Sequence, residues 1–119
     1  MTKKELARAL EKRTRTFAVQ IIRRSSTLPK SSEAGVVRIQ ITKAGTSIGA
    51  NYREANRSRS RADFRSRIRI CESEASETQY WLEIIVDTGW LKWESVKPLY
   101  EERSEFLALF SSAAQKCTS

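Results

Sequence analysis

The sequence predicts an all-α protein: one domain over residues 1–119, made of a few long helices joined by short loops. Three observations predict it. Gly (4) and Pro (2) are scarce among 119 residues, whereas an all-β chain needs a turn about every ten residues. Apolar residues recur at alternating steps of three and four over four long stretches. Apolar residues make up 39% and charged residues 30%, enough to fold around one core with little apolar excess.

The first helix is expected over 4–28. Leu6, Leu10, Thr14, Phe17, Ile21 and Leu28 fall on one stripe, with Ser25 as a further step, while Arg13, Arg15, Arg23 and Arg24 lie off it. Pro29 ends it, because proline pushes Leu28 toward extended geometry. Ser31 and Ser32 offer N-caps for a second helix over 32–56. Ala34, Val37, Ile41, Ala44, Ile48, Asn51 and Ala55 then alternate strictly, as in the seam of an antiparallel bundle or coiled coil.

Gly45 and Gly49 interrupt that seam, each at a cost of about 1 kcal/mol relative to Ala. No phosphate loop fits, since no strand precedes them and no Lys follows in the required pattern. A kink and a close helix approach both remain open; the intact flanking period favours the close approach. Asn51 places an amide on the seam, where it is expected to fix register.

A connector, Asn56 to Ala62, leads to a third helix over 61–88, with Ser60 to Asp63 as a capping-box variant. Phe64, Ile68, Cys71, Ala75, Thr78, Leu82 and Ile85 form its stripe. A second stripe, Ile70, Glu74, Glu77, Trp81 and Ile84, widens the apolar arc beyond what one neighbour covers. Ile70, Tyr80, Trp81 and Ile84 are therefore expected at a contact with another subunit. Gly89 is expected as a C-terminal cap by residue type, and the indoles of Trp90 and Trp93 are expected over the bundle end. A fourth helix over 94–115 carries Pro98 in its first turn and Val96, Leu99, Arg103, Phe106, Phe110 and Ala113 on its seam. The tail after Ala114 is expected to fray.

The net charge is +8, from 22 Lys and Arg against 14 Asp and Glu. Such a surface attracts polyanions, chiefly nucleic acid, although a merely soluble basic helical protein carries the same charge. From Arg53 to Arg69 there are seven arginines and only two acids, Glu54 and Asp63. A solvated face accounts for this as readily as a phosphate-contact surface does. No aromatics interleave the connector arginines, so backbone contact rather than base stacking is the expectation there. Arg53, Arg57, Arg59, Arg61 and Arg65, with Lys43, are the candidate nucleic-acid-binding residues.

Glu74 and Glu77 raise the question of an acid–base pair or a hard-metal site. The di-iron bundle pattern needs Glu-x-x-His twice, and the chain has no histidine. A structural polar core of Asn51, Arg53, Glu74 and Glu77 is the plainer expectation, with carboxylate and guanidinium paired across helices. Cys71 and Cys117 are spaced for no zinc site. No cofactor or metal is expected, and no nucleophile with its base is recognised, so the chain is not expected to be an enzyme. Two free thiols and no signal-like N-terminus point to the cytoplasm. No apolar run approaches the roughly 20 residues of a membrane span.

Particular segments then match a known family. Arg13-Thr14 with Phe17-Ala18, Ile21-Ile22-Arg23, Leu28-Pro29-Lys30, Ala62-Asp63-Phe64, and Glu74-Ala75 with Glu77-Thr78 and Tyr80-Trp81-Leu82-Glu83 all take part. The most specific is the run Gly45-Thr46-Ser47-Ile48-Gly49-Ala50-Asn51-Tyr52-Arg53-Glu54-Ala55. Over about residues 5 to 110 the chain resembles the bacterial four helix bundle family, the 23S rRNA intervening-sequence proteins. Its members were first described as reading frames inside intervening sequences of large-subunit ribosomal RNA genes.

The resemblance implies an antiparallel up-down-up-down four-helix bundle and a ring-shaped homopentamer, as members and similar accessory proteins of diversity-generating retroelements form. Those accessory proteins bind nucleic acid and a reverse transcriptase through a basic surface. Here Arg65, Arg67 and Arg69 stand where the family carries hydrophobic and lysine positions, and Cys71-Glu72-Ser73 replaces a more aliphatic segment. Two functions are expected on this basis: a basic oligomer that binds RNA or DNA through phosphates, or a scaffold ring that docks a protein partner such as a reverse transcriptase.

Overall fold

In the computed structural model, which describes residues 1–117, four helices follow one another: α1 (Lys3–Ser25), α2 (Ser32–Ala55), α3 (Arg61–Asp87) and α4 (Trp93–Lys116). No strand occurs among the described residues. Three of the four starts are capped as their residue types dictate. Thr2, Ser31 and Ser60 each accept a hydrogen bond from the backbone N–H three residues on. Lys92 has no side chain that can do so, and α4 begins without one.

Every helix end falls within about one residue of its expected place except the end of α1. α1 stops at Ser25 rather than at residue 28. The hydroxyls of Ser25, Ser26 and Thr27 turn back onto the carbonyls of Ile22, Arg23 and Arg24, which offers the chain an alternative to another helical turn. Leu28 is still buried, reached from the turn instead of the helix. α4 begins at Trp93, so Pro98 sits inside the helix, past its first turn, where its ring removes one backbone donor. Gly89 takes φ +76, the left-handed conformation that only glycine adopts without strain. α4 continues past Ala114 to Lys116; of the tail expected to fray, residues 118–119 lie outside the described residues.

Cross-helix pairs set the directions. Ser25 meets Thr42 and Glu11 meets Asn56, so α1 and α2 run oppositely. Arg61 reaches the Lys116 carbonyl, Glu72 meets Ser111 and Glu83 meets Tyr100, so α3 and α4 do too. Cys71 lies against the Ile48 carbonyl, its Sγ 3.7 Å away, and sets α3 on α2. The fold is the all-α four-helix bundle that the periodicity predicts.

The core is continuous along the 46 Å length. Phe17 of α1 packs edge-on to Phe106 of α4 at 5.4 Å, and Tyr52 of α2 meets Phe110 at 5.6 Å. The glycines resolve as close approach. A Cβ on Gly45 would lie 2.9 Å from two carbons of Ile21, and one on Gly49 would lie 2.9 Å from the Thr14 hydroxyl. α1 therefore rests directly on the backbone of α2 at both positions. Arg13 adds a tie between α1 and α4, forking onto Glu102 at 2.6 and 3.2 Å while its guanidinium lies over the Phe106 ring.

Candidate nucleic-acid interface

The antiparallel order gathers charge at one end of the bundle. α2 ends at Ala55, the connector turns there, α3 starts at Arg61 and α4 finishes at Lys116. Glu11 accepts hydrogen bonds from Asn56, which brings the first half of α1 to the same end. Lys3, Lys4, Arg8 and Lys12 of α1 thus join the connector arginines, and all four are exposed. Reading the chain linearly misses Arg8 and Lys12. Their signal was present in the sequence, since both lie off the α1 stripe; only the pairing of α1 with α2 shows where they go.

Arg57 and Arg59 are exposed and enter no ion pair among the described residues. Arg61 donates to the Lys116 carbonyl at 2.9 Å and forms no ion pair with a carboxylate among the described residues. Arg53 is held loosely by Glu11 at 3.8 Å, and its side chain stays 49% exposed. It borders a groove of about 320 Å³ between α1 and α2, with Arg15 on the opposite lip.

The other two candidates stand apart. Arg65 is half-buried with its Nε sealed and unpartnered, so it faces the protein more than the solvent. Lys43 sits on the outer face of α2, ten residues before Arg53 and so about 15 Å away along the axis. Farther down α3, Arg67 pairs with Asp63 and Arg69 with Glu72. The open charge therefore narrows to Arg53, Arg57, Arg59 and Arg61 with the start of α1.

The expected polar core does not assemble. Asn51 donates to the Ser47 carbonyl of its own helix at 2.8 Å, and Arg53 turns to Glu11 of α1. Glu77 is exposed, within 3.4 Å of the Trp81 indole N–H. Glu74 is half-buried; burial holds its carboxyl above the usual range, Glu77 adds to this and Lys43 partly offsets it. The reason is register. With Cys71 opposite Ile48, Arg53 and Glu74 lie eight residues out of level, about 12 Å.

On the far side of α3, Ile70 and Tyr80 are 43% and 55% exposed. Trp81 and Ile84 are half-buried and pack against the core. Val36 and Ile39 on α2 are also exposed. Cys71, by contrast, is fully enclosed, and burial pushes its thiol up to about 12. It is an apolar packing group without nucleophilic character at neutral pH.

The comparisons decide the family. A model described as 23S rRNA-intervening sequence protein matches residues 9–112, nearly the whole chain. The chain belongs to the 23S rRNA-intervening sequence protein family. A crystal structure of a protein of unknown function from the S23 ribosomal protein family of Bacteroides thetaiotaomicron agrees. It superposes with a TM-score of 0.81 at 36% identity, over 87% of this chain and 96% of that one. No curated protein matches. For this family member, then, the bundle is a shared property, and the residues at its basic end must be argued from their own chemistry. No helix among the described residues is long and apolar enough to cross a membrane.

Proposed function

We propose that this 23S rRNA-intervening sequence protein is a non-enzymatic, basic homo-oligomer of the cytoplasm that binds RNA or other nucleic acid through phosphate-backbone contacts. One observation carries the reading: Arg57 and Arg59 on the connector and Arg61 at the start of α3 are in no ion pair with any described carboxylate. Protein arginines that serve only solubility lose little by pairing with neighbouring acids, as Arg67 and Arg69 do. Unpaired guanidiniums, together with Lys3, Lys4, Arg8 and Lys12, provide forked donors matched to phosphate oxygens. Such contacts fix position and carry little sequence preference.

Self-association, with the pentamer implied by the family resemblance as its form, is supported by the apolar residues left on the outer faces of α2 and α3. Val36, Ile39, Ile70 and Tyr80 are all exposed in the single chain, and exposed apolar residues mark a contact surface where they form one patch. The same faces favour a second reading, a ring that docks a protein partner such as a reverse transcriptase. In that case charge serves steering rather than binding.

A gel-shift titration at low salt tests the first reading. Binding that weakens steeply as salt rises is expected; no shift at low salt rejects it. Light scattering reads the assembly in the same sample, and a 13.6 kDa species at working concentration rejects self-association. A protein that co-purifies after nuclease treatment, from a sample that shifts no nucleic acid, supports the docking reading.

A further inference from the structure

A shallow, open hollow of about 340 Å³ lies at the connector, lined by residues from Ala55 to Ser60, by Arg61 and Phe64 of α3, and by Cys117 just past the end of α4. That volume is at the small end of ligand pockets, which run about 300–1,000 Å³. We infer that this hollow is a subsite for one unstacked nucleotide, its phosphate on Arg59 and the start of α3 and its base against Phe64. The inference rests on the phosphate-binding reading and adds to it a preference for single-stranded nucleic acid.

Four features converge there. Arg59 is exposed and in no ion pair among the described residues, so its fork is free for phosphate oxygens. α3 points its N-terminus into the same place; Ser60 takes up the Asp63 N–H, and the first N–H groups of a helix have no intrahelical acceptor. Phe64 is half-buried and packed on the core, yet it reaches the wall of the hollow. An aromatic surface so placed offers a base a sequence-tolerant contact. Finally, Ser58 Oγ is buried in the wall with no hydrogen-bond partner among the described residues. Buried polar groups in native structures are nearly always satisfied, so this hydroxyl is an unsatisfied group that a ligand meets only if the Ser58 side chain turns toward the hollow.

A duplex cannot use such a site, because its bases are stacked and their faces hidden. Phosphate contact alone favours duplex, whose charge density is higher. The two terms therefore oppose each other, and the sign of the preference reports on the hollow.

The full chain is titrated by fluorescence anisotropy, at low salt, with a short labelled RNA lacking self-complementarity, and then with the same strand annealed to its complement. The single strand is expected to bind roughly tenfold more tightly. Phe64→Leu keeps an apolar side chain on the core and is expected to bring the single strand to the duplex level, with circular dichroism verifying the fold. Arg59→Gln is expected to weaken both forms. Equal affinities, tighter duplex binding, or a preference that survives Phe64→Leu would overturn the subsite and leave the phosphate reading standing. Binding of neither form overturns both.

Discussion

Arg103 is the residue whose chemistry fits its surroundings least. It is 3% exposed in the middle of α4, and its Nε and Nη1 are sealed with no hydrogen-bond partner among the described residues. Burial lowers its affinity for the proton, Tyr100 and Glu83 raising it in part. The Tyr100 ring lies 4.7 Å from its guanidinium carbon, but Glu83 accepts from Tyr100 and Gln79 instead. An unpaired buried charge is costly, and apolar replacement of buried charges is often neutral or stabilising. Arg103→Met is therefore expected to raise stability by about 1 kcal/mol in a urea titration. A loss of that size would show that the guanidinium has a partner in the assembled protein.

Gly45 makes the opposite case, a residue that fits by being small. Alanine would gain about 1 kcal/mol of helix propensity. Its Cβ, however, meets Ile21 Cγ1 and Cγ2 at 2.9 Å, and both are attached to the branched Cβ of a buried side chain that has nowhere to turn. Overpacking of that kind costs about 1–3 kcal/mol. Gly45→Ala is expected to lower stability by about 1 kcal/mol on balance; a gain measured by thermal melting would mean that α1 slides freely on α2.

At the scale of the element, the helices were legible because their signals are local. Alternating steps of three and four placed all four, and Thr2, Ser31 and Ser60 cap as hydroxyl residues do. What stayed illegible depends on neighbours. Three hydroxyls in a row shortened α1 by competing for its carbonyls. Asn51, Arg53, Glu74 and Glu77 share seams in the sequence pattern, but the period of a stripe leaves the vertical offset of its partner undetermined. The offset comes from which small residues touch, here Cys71 against Ile48 and Gly45 against Ile21.

Glu72 shows the consequence for α3 and α4. Burial pushes its carboxyl up, but hydrogen bonds from Ser111 and Arg69, with the charges of Arg69 and Arg65, leave it below the usual range. Because the folded-state value is depressed, the stability it confers is present above the ordinary carboxylate range and is lost as pH falls through the folded-state value. Glu72→Gln is expected to cost about 1 kcal/mol at neutral pH and nothing in strong acid, so the two stability curves converge as pH falls. Curves that stay parallel would show that the ionised carboxylate is irrelevant to the α3–α4 contact.

For the whole molecule, the fold converts scattered charges into a polarity. The arginine run was visible in the chain, but its meaning was not, because seven arginines in sequence serve different ends. Arg67 and Arg69 pair along α3, Arg65 turns inward, and Arg57, Arg59 and Arg61 remain open. Lys43 lies away from them, while Arg8 and Lys12 arrive from α1. The measurement that tests this arrangement most directly is the salt dependence of RNA affinity in two triple variants. Arg57→Gln with Arg59→Gln and Arg61→Gln removes the open set. Arg23→Gln with Arg24→Gln and Lys30→Gln removes the same charge from the other end. Each lost phosphate contact lowers the slope of log affinity on log salt by about 1. The connector variant is expected to lose about two to three units of slope and the control none; equal losses in both would contradict a localised interface.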